Sequence, residues 1–312
     1  MTKKVYLPDD IPAVGKDILT AAGFEVIVGT GRQREIMKKE GAEANAVLIG
    51  TQTFDEDIMR GMPNLQVIAR NGVGYDAVDI AAATRRGVYV VNTPKALSSS
   101  VAETAVAELL AISKNLYQNA KAIHEDNWGY RKQHPGRDVA GKTVGILGFG
   151  RIGQQVAEKL SGFGLHVIAF DPFAKSTDTV TIVDREMVFK KSDYVMIHLP
   201  AMPETIHSIG KTVFDMMKND AYLINMARGN IIVTSDLVAA LKNHDIAGAA
   251  LDVFEEEPLP VSDPLVALDN VLLTPHIASN TVETKERMAI DAAHDIVRVL
   301  MGDQPVSSVN QI

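Results

Sequence analysis

The sequence contains no cysteine, and aromatic residues make up only 5% of it, with a single tryptophan. Without cysteine the chain can form no disulfide, no zinc–thiolate centre and no thiol nucleophile. An excess of cationic residues is also missing, because the net charge is −8, whereas nucleic-acid-binding surfaces need clustered lysine and arginine. We therefore expect neither a nucleic-acid partner nor a metal site.

Long apolar runs are missing as well. No stretch approaches the ~20 apolar residues that span a bilayer, and the first residues, Met1-Thr-Lys-Lys-Val-Tyr-Leu-Pro8, contain no apolar signal core. We therefore expect a soluble cytoplasmic protein without a membrane partner. The hydrophobic fraction of 46% in 312 residues is enough for two domains with full cores.

Strand and helix patterns alternate along the whole chain, as in domains built on parallel sheets. A long helix rich in alanine, leucine and glutamate is predicted from Val101 to about Ala122, after three serines that offer helix caps. A shorter helix is expected over Ala77–Arg86, and a final amphipathic helix from about Thr281 to Leu300. The predicted strands are Lys4–Leu7, Phe24–Val28, Ala46–Ile49, Val67–Ala69, Val88–Val91, Val144–Leu147, His166–Phe170, Tyr194–Ile197, Ala221–Ile224, Gly248–Asp252 and Val271–Leu273.

A glycine-rich turn follows a buried strand in the middle of the chain. Gly148 permits the tight turn, Gly150 leaves room for a pyrophosphate near the backbone, and Gly153 lets the next helix pack close to the sheet. That helix begins at Arg151 and Ile152, and its N-terminus offers free N–H groups and a positive dipole end to phosphates. The strand, turn and helix together predict a dinucleotide-binding site.

Asp171 ends the next strand, roughly 20 residues beyond the glycines, where a carboxylate can bond the ribose hydroxyls. Its negative charge repels a 2′-phosphate, so NAD is favoured over NADP. Arg151 works only slightly against this preference, because it lies at the phosphate turn, where NAD also needs a cation. NAD is therefore the expected cofactor.

The position of the turn indicates an inserted domain. About a hundred residues of alternating strands and helices precede it, and one helix follows the last strand. The simplest arrangement places an NAD-binding domain, residues 99–281, inside a second domain made of residues 1–98 and 282–312. Two crossings between the domains imply a cleft with a two-point hinge, which is a common place for a ligand.

Polar side chains follow three strands of the nucleotide domain at the edge where open α/β sheets bind ligands. Arg228 can bind a carboxylate with two parallel bonds, and His276 can pass a proton near neutral pH. An acid beside the histidine, such as Glu257, would orient the ring and favour its protonated form. His198 also ends a strand and is the main alternative acid–base group. Spacing alone does not exclude the alternatives that Arg228 lies in a surface turn and that Glu257 lies in a solvated loop without a catalytic role.

Six segments, taken in order, resemble the D-isomer-specific 2-hydroxyacid dehydrogenases, and the resemblance covers nearly the whole chain. It implies two doubly wound parallel-sheet α/β domains, with a Rossmann NAD domain inserted into a flavodoxin-like substrate domain. It also implies a homodimer formed through the NAD domain and its long entry helix. The six segments are Asn71–Asp79, Ser100–Glu103, Gly141–Gly153, Asn225–Gly229, Ala250–Pro258 and Leu273–His276.

The resemblance also implies a role for each matched position. Arg228 would bind the substrate carboxylate and carbonyl, and His276 would be the acid–base group, paired with Glu257. Backbone amides at Val73 and Gly74 would hold the substrate carboxylate as a nest of N–H groups. Asp252 would contact the nicotinamide carboxamide. The other residues expected around the cofactor are Leu199, Pro200, Thr205, Met226, Ala227 and Ser279.

Within the family the sequence leans towards the phosphoglycerate dehydrogenase-like branch, with two departures. Gly50 stands where those enzymes often carry an arginine for the phosphate, although Arg70 can serve as the substrate-binding cation. The C-terminal regulatory domain of many of them is not expected beyond Ile312. Hydroxypyruvate, glyoxylate and a branched 2-oxo acid stay open as substrates. An NAD-sensing, corepressor-like binding protein and a phosphite-type dehydrogenase stay open as functions.

Overall fold

The computed structural model describes residues 2–312, and the chain divides into two compact units. The first unit joins Met1–Leu97 to Asn280–Ile312, and the second unit is Ser98–Ser279. Each unit is an α/β domain built on a parallel sheet of its own.

The first unit contains a five-stranded parallel sheet. Its strands are β1 (Lys4–Leu7), β2 (Glu25–Val28), β3 (Ala46–Ile49), β4 (Val67–Arg70) and β5 (Tyr89–Val91). The helices that connect them are α1 (Ala13–Ala21), α2 (Arg34–Glu40), α3 (Glu56–Arg60) and α4 (Ile80–Arg85). The strand order is β2-β1-β3-β4-β5, which is the doubly wound order of flavodoxin-like folds.

The second unit begins with α5 (Ser98–Ser113) and α6 (Leu116–His124) and contains a seven-stranded parallel sheet. Its strands are β6 (Thr143–Leu147), β7 (His166–Phe170), β8 (Val180–Ile182), β9 (Tyr194–Ile197), β10 (Tyr222–Asn225), β11 (Gly248–Leu251) and β12 (Val271–Leu273). The helices among them are α7 (Arg151–Leu160), α8 (Arg185–Lys191), α9 (Lys211–Phe214) and α10 (Thr234–Lys242). The strand order is β12-β11-β10-β9-β6-β7-β8. The order reverses beside β6, so the carboxyl ends of β6, β7 and β9 mark the place where such sheets bind ligands.

The last helix, α11 (Val282–Met301), returns the chain to the first unit and packs against α1. One face of the five-stranded sheet is covered by an apolar cluster that includes Val5, Leu19 and Ile296. The other face is covered by a cluster that includes Tyr6 and Met37. Because successive strand residues point to opposite faces, a sheet covered on both sides requires the continuous apolar strands that the sequence shows.

The two parallel-sheet α/β domains confirm the predicted fold class. The single long helix predicted to run to about Ala122 is wrong. Helix α5 begins earlier, at Ser98, and the helical path is broken at Asn115, which has φ 49°. Asparagine is one of the few residues that adopt this left-handed conformation readily. In addition, the N–H of Arg137 donates to the carbonyl oxygen of Ser113 (2.6 Å), near the end of α5.

Two smaller expectations also differ from the structure. Strand β8 was not predicted. It has only three residues, stands at the sheet edge and is half-buried, so it lacks a continuous apolar pattern. Helix α4 begins at Ile80 instead of Ala77. The carboxylate of Asp79 accepts a hydrogen bond from the N–H of Ala82 (2.8 Å), which caps the helix at that point.

Candidate active site

The glycine turn between β6 and α7 is shaped by contacts that leave no room for side chains. Gly148 has φ +91°, and a Cβ atom there would lie 2.6 Å from the carbonyl oxygen of His198. At Gly153 a Cβ atom would lie 2.3 Å from the carbonyl oxygen of Gly148, so α7 packs directly against the turn. At Gly150, by contrast, a Cβ atom would meet no heavy atom of residues 2–312 within 4 Å. The backbone at Gly150 is therefore accessible to a ligand.

The N-terminus of α7 presents main-chain N–H groups at this turn. Gly150 precedes the helix, and within the described residues no side chain caps it. The N–H groups of Arg151, Ile152 and Gly153 belong to the first helical turn, where no carbonyl oxygen of the helix can accept from them. With the positive end of the helix dipole, these groups can bind phosphate oxygens.

Asp171 lies beside the turn at the end of β7. Its Oδ2 accepts a hydrogen bond from the N–H of Phe149 (2.9 Å), and its Oδ1 accepts one from the N–H of Phe173 (2.9 Å). These bonds fix the carboxylate next to the glycine turn. An open depression of 540 Å³ adjoins it, lined in part by Pro172 and Ile182.

His276 and Glu257 form a pair on the loops that follow β12 and β11. The Nδ1 atom of His276 lies 2.8 Å from Oε2 of Glu257. The other carboxylate oxygen, Oε1, accepts the N–H of Phe254 (3.0 Å). His276 has φ 53° and donates its N–H to the carbonyl oxygen of Thr274 (3.0 Å), which closes a tight turn. Both side chains keep about a third of their surface exposed, at 37% and 36%, so a small molecule can reach the pair.

The electrostatic surroundings keep Glu257 ionised. Burial alone would raise its pKa, but hydrogen bonds from His276 and from the N–H of Phe254, together with the charges of His276 and Arg228, hold the pKa below its ordinary value. A carboxylate that stays charged through neutral pH can accept a hydrogen bond from the imidazole beside it and so orient the ring.

Arg228 lies on the loop after β10, which is ordered by the buried side chain of Asn225. The Oδ1 atom of Asn225 accepts the N–H of Ala227 (3.0 Å), and its Nδ2 donates to the carbonyl oxygen of Arg228 (2.9 Å). At Gly229 a Cβ atom would lie 1.9 Å from the carbonyl carbon of Phe254. This glycine therefore allows the loop that carries Arg228 to pack against the loop that leads to the histidine–glutamate pair.

Asp252 is fully buried at the end of β11. Its Oδ1 lies 2.7 Å from Oγ1 of Thr274 and accepts the N–H of Ile277 (2.7 Å), and its Oδ2 accepts the N–H of Ala278 (2.8 Å). The carboxylate therefore ties β11 to the residues on both sides of His276.

Glu108 is a second buried acid at this place, and the sequence reasoning did not identify it. Its side chain on α5 is 4% exposed, and its Oε1 lies 2.7 Å from Oγ1 of Thr274. Burial raises its pKa to about 7; the Thr274 hydroxyl opposes this rise and the charge of Asp252 adds to it. Glu103 and Glu108 are the two glutamates of α5, and an acid in a helix otherwise rich in alanine and leucine was the signal in the sequence that could have identified Glu108.

His198 does not meet the requirements of the alternative acid–base group. Both nitrogens of its ring are buried and have no hydrogen-bond partner within residues 2–312. Burial lowers the pKa of His198 to about 4, so its ring stays neutral near pH 7. A different histidine, His207, forms a second exposed pair in this unit, with its Nε2 2.6 Å from Oε1 of Glu255.

The remaining predicted positions of the second unit lie at the carboxyl ends of β9, β10 and β12. The hydroxyl of Thr205 lies 2.6 Å from the carbonyl oxygen of Pro200 and accepts the N–H of Met202 (2.8 Å), which holds the loop after β9. Leu199 packs in part against the apolar core. Met226 and Ala227 are buried, and Ser279 is half-buried.

The three predicted substrate residues belong to the first unit and follow or end β4. Arg70 donates from Nη1 to the carbonyl oxygen of Asn71 (2.7 Å), and Asn92 donates from Nδ2 to the carbonyl oxygen of Val73 (2.8 Å). Val73 and Gly74 are half-buried.

Two features are absent from residues 2–312. These residues contain no group of three or more His, Asp or Glu side chains arranged to hold a metal ion. None of their helices combines the length and the apolar character that a membrane crossing requires.

Comparison with known sequences gives a consistent set of relatives. Residues 106–278 match the family model of the NAD-binding domain of D-isomer specific 2-hydroxyacid dehydrogenases. The glyoxylate reductase of Thermofilum pendens is 40% identical over 99% of this chain and 94% of that protein. The D-3-phosphoglycerate dehydrogenase of Archaeoglobus fulgidus is 38% identical over 98% of this chain, but over only 59% of its own length.

Solved structures share the fold along nearly their whole length. The TT0316 protein of Thermus thermophilus has a TM-score of 0.92 at 34% identity, with 98% of this chain and 100% of that chain covered. The NAD-dependent formate dehydrogenase of Staphylococcus aureus in complex with NAD has a TM-score of 0.89 at 29% identity, covering 99% of both chains. The NADPH-dependent glyoxylate/hydroxypyruvate reductase of Sinorhizobium meliloti in complex with NADP and malonate has a TM-score of 0.88 at 27% identity, covering 99% of this chain and 97% of that chain.

Proposed function

Because this chain belongs to the D-isomer-specific 2-hydroxyacid dehydrogenase family, we propose that it interconverts a small D-2-hydroxy acid and its 2-oxo acid with NAD as cofactor. As a member of the family it is a D-2-hydroxyacid dehydrogenase, an oxidoreductase. The observation that best supports the proposed chemistry is the 2.8 Å contact between His276 and Glu257 at the carboxyl edge of the sheet.

The glycine turn supports the cofactor proposal. The free space at Gly150 fits a pyrophosphate, and the first turn of α7, at Arg151 and Ile152, would bind its oxygens. Asp171 would bond the ribose hydroxyls and repel a 2′-phosphate, which favours NAD over NADP. When bound, the nicotinamide supplies or accepts the hydride. The similar structures include NAD and NADP complexes, so the proposed preference for NAD rests on Asp171.

His276 is the proposed acid–base group. Its Nδ1–H donates to Glu257, which fixes the tautomer and leaves Nε2 for the substrate oxygen. In the direction of reduction, Nε2 gives a proton to the carbonyl oxygen as it becomes a hydroxyl; in the direction of oxidation, Nε2 accepts the hydroxyl proton. The lowered pKa of Glu257 keeps it an anion, and an anion stabilises the protonated ring that reduction needs.

Arg228 is the proposed anchor of the substrate in the second unit. A guanidinium can bind a carboxylate with two parallel hydrogen bonds and polarise a neighbouring carbonyl group. For the first unit, we assign binding of the substrate carboxylate to the main-chain amides of Val73 and Gly74, with Arg70 as a further cation. Within the second unit we assign the walls of the nicotinamide site to Leu199, Pro200, Thr205, Met226, Ala227, Asp252 and Ser279.

We propose a small unphosphorylated substrate, such as glyoxylate or hydroxypyruvate. Gly50 directly follows β3 and supplies no positive charge there. The two arginines that line a depression together with Thr51 and Gln52 are already paired. Arg32 lies 2.5 Å from an oxygen of Asp9, and Arg34 lies 2.6 Å from an oxygen of Asp55. Asp9 and Asp55 therefore already neutralise the positive charges of Arg32 and Arg34, which a substrate phosphate would need for binding.

We propose that the chain forms a homodimer through the second unit. Four large apolar side chains lie exposed on α6 and on the short helix Trp128–Lys132, which packs against it. Exposed apolar side chains grouped on neighbouring elements are typical of interfaces. Light scattering should therefore give twice the chain mass of 33.7 kDa; the mass of a single chain would contradict the proposal. The four side chains are Leu116 (60% exposed), Tyr117 (55%), Ile123 (53%) and Trp128 (68%).

One assay tests the proposed function. Glyoxylate, hydroxypyruvate, phosphohydroxypyruvate and a branched 2-oxo acid are each supplied with NADH and, in parallel, with NADPH. We expect the highest kcat/KM with NADH and an unphosphorylated acid. Binding of NADH without turnover of any acid would favour an NAD-sensing binding protein, and a preference for phosphohydroxypyruvate would overturn the substrate assignment.

A further inference from the structure

One hydroxyl group connects two buried acids in the second unit. Oγ1 of Thr274 lies 2.7 Å from Oε1 of Glu108 and 2.7 Å from Oδ1 of Asp252. Glu108 is 4% exposed and Asp252 is fully buried. The second oxygen of Glu108, Oε2, is buried and has no hydrogen-bond partner within residues 2–312. We call these three side chains the buried acid network.

Counting protons identifies which acid of the network is neutral. A threonine hydroxyl has one hydrogen, so Thr274 can donate to only one of the two carboxyl oxygens. The second 2.7 Å contact therefore needs a proton on one of the acids. Asp252 accepts the N–H groups of Ile277 and Ala278, which stabilise its ionised form. Glu108 is left as the protonated acid, in agreement with the rise of its pKa to about 7, which burial causes.

The charges around α5 do not compensate an ionised Glu108. Strand β11 packs against α5 and leads to Asp252, whose charge raises the pKa of Glu108. Helices α7 and α6 also pack against α5, but their Lys159 and Lys121 each pair with an exposed glutamate, at 3.2 and 3.6 Å. The neighbouring strand β10 contributes Tyr222, whose ring stacks on another tyrosine. Loss of the Glu108 proton would thus place two anions around one hydroxyl.

We propose that Glu108 is a positioning residue for His276, a proposal that rests on the proposed function. As a neutral acid it donates to Oγ1 of Thr274, and this leaves the Thr274 hydrogen for Asp252. Asp252 then holds the two N–H groups that directly follow His276. When Glu108 loses its proton, one of the two short contacts loses its hydrogen, the loop is held less firmly, and turnover falls.

Two substitutions of Glu108 in the full chain test the proposal. Glu108→Gln keeps a donor for Thr274 but cannot ionise, and Glu108→Leu fills the same space without a donor. Glu186→Gln is the control, because Glu186 is an exposed glutamate of the same unit that pairs with Lys190 one turn later. We expect Leu to lower kcat at least tenfold with little change in the KM for NADH. We expect Glu108→Gln to keep most of the wild-type kcat. Its kcat should also begin to fall at a higher pH than that of the wild type, by at least half a pH unit.

A double substitution tests whether Glu108 acts through Thr274. Thr274→Val removes the hydroxyl, so Glu108→Leu should cost no further kcat in its presence. Losses that multiply in the double variant would overturn the proposal. So would Gln and Leu variants whose pH profiles match that of the Glu186→Gln control.

A readout without turnover separates failure of this proposal from failure of the proposed function. A wild-type chain that reduces no 2-oxo acid would count against the proposed function. The pH dependence of thermal unfolding still tests the buried acid network in that case. Glu108→Gln must flatten this dependence between pH 5 and pH 8, and an unchanged dependence would overturn the network.

Discussion

Replacing Glu108 with glutamine should change how the stability of the protein depends on pH. The group is 4% exposed, and its pKa is raised from 4.5 to about 7 in the folded protein, chiefly by burial. The folded state therefore keeps the proton over a pH range in which the unfolded chain releases it. Glutamine has nearly the same shape and no proton to release, so it removes this difference between the two states.

The sign and size of the effect follow from the two pKa values. Because the folded pKa is raised, the wild-type protein is not penalised below pH 4.5 and loses stability as the pH rises from 4.5 to about 7. At about 1.4 kcal/mol per pKa unit, the full penalty is about 3 kcal/mol. At pH 5 it is only about 1 kcal/mol, so Glu108→Gln should gain about 2 kcal/mol over the wild type between pH 5 and pH 8.

Urea unfolding at several pH values measures this difference directly. The free energies of unfolding of the wild type and of Glu108→Gln should approach each other at pH 5 and diverge at pH 8. Glu186→Gln should follow the wild type throughout, because Glu186 is exposed and ionised over this range in both states. Parallel curves for the wild type and Glu108→Gln would refute the reasoning, since they would mean that Glu108 is not a buried neutral acid.

Three further changes test the glycine turn, the acid–base pair and the loop contacts. Glu257→Gln removes the anion that orients His276, so kcat should fall at least tenfold. An unchanged kcat would contradict the pairing. Asp171→Asn should lower the preference for NADH over NADPH, measured as the ratio of their kcat/KM values, at least tenfold, which corresponds to about 1.4 kcal/mol. An unchanged ratio in steady-state assays would count against the role of the Asp171 charge. Gly229→Ala should destabilise the protein by about 1–3 kcal/mol in urea unfolding, because its Cβ would lie 1.9 Å from the carbonyl carbon of Phe254. The control Gly162→Ala, whose Cβ would meet no heavy atom of the described residues within 4 Å, should be close to wild type. Equal effects of the two substitutions would show that the close approach at Gly229 does not determine stability.

The fold was predictable where the chemistry is local. Strands such as Ala46–Ile49 and Tyr194–Ile197 are continuous apolar runs, because both faces of each sheet are covered. Strand β8 carries no such pattern, because it is short and half-buried at a sheet edge. The break between α5 and α6 involves a hydrogen bond from Arg137 to Ser113, a contact between residues distant in sequence that a local pattern does not reveal.

The candidate site was also predictable only in part. Strand-end reasoning singled out Glu257 and His276, and the structure brings them to 2.8 Å. Their distance depends on how two loops fold, which the sequence alone does not give. Glu255, in the same acidic run, pairs with His207 instead. Glu108 was missed because its burial becomes visible only when residues far along the chain are placed beside α5.

The central claim is that His276 transfers the proton in a reaction that uses a dinucleotide. The most direct measurement is kcat for a 2-oxo acid with Ala at position 276, together with the dissociation constant of NADH. The account predicts a loss of about 10²–10⁴ in kcat with NADH binding nearly unchanged, whereas His207→Ala, in the other exposed histidine–glutamate pair, keeps its turnover. Unchanged turnover in His276→Ala would contradict the account.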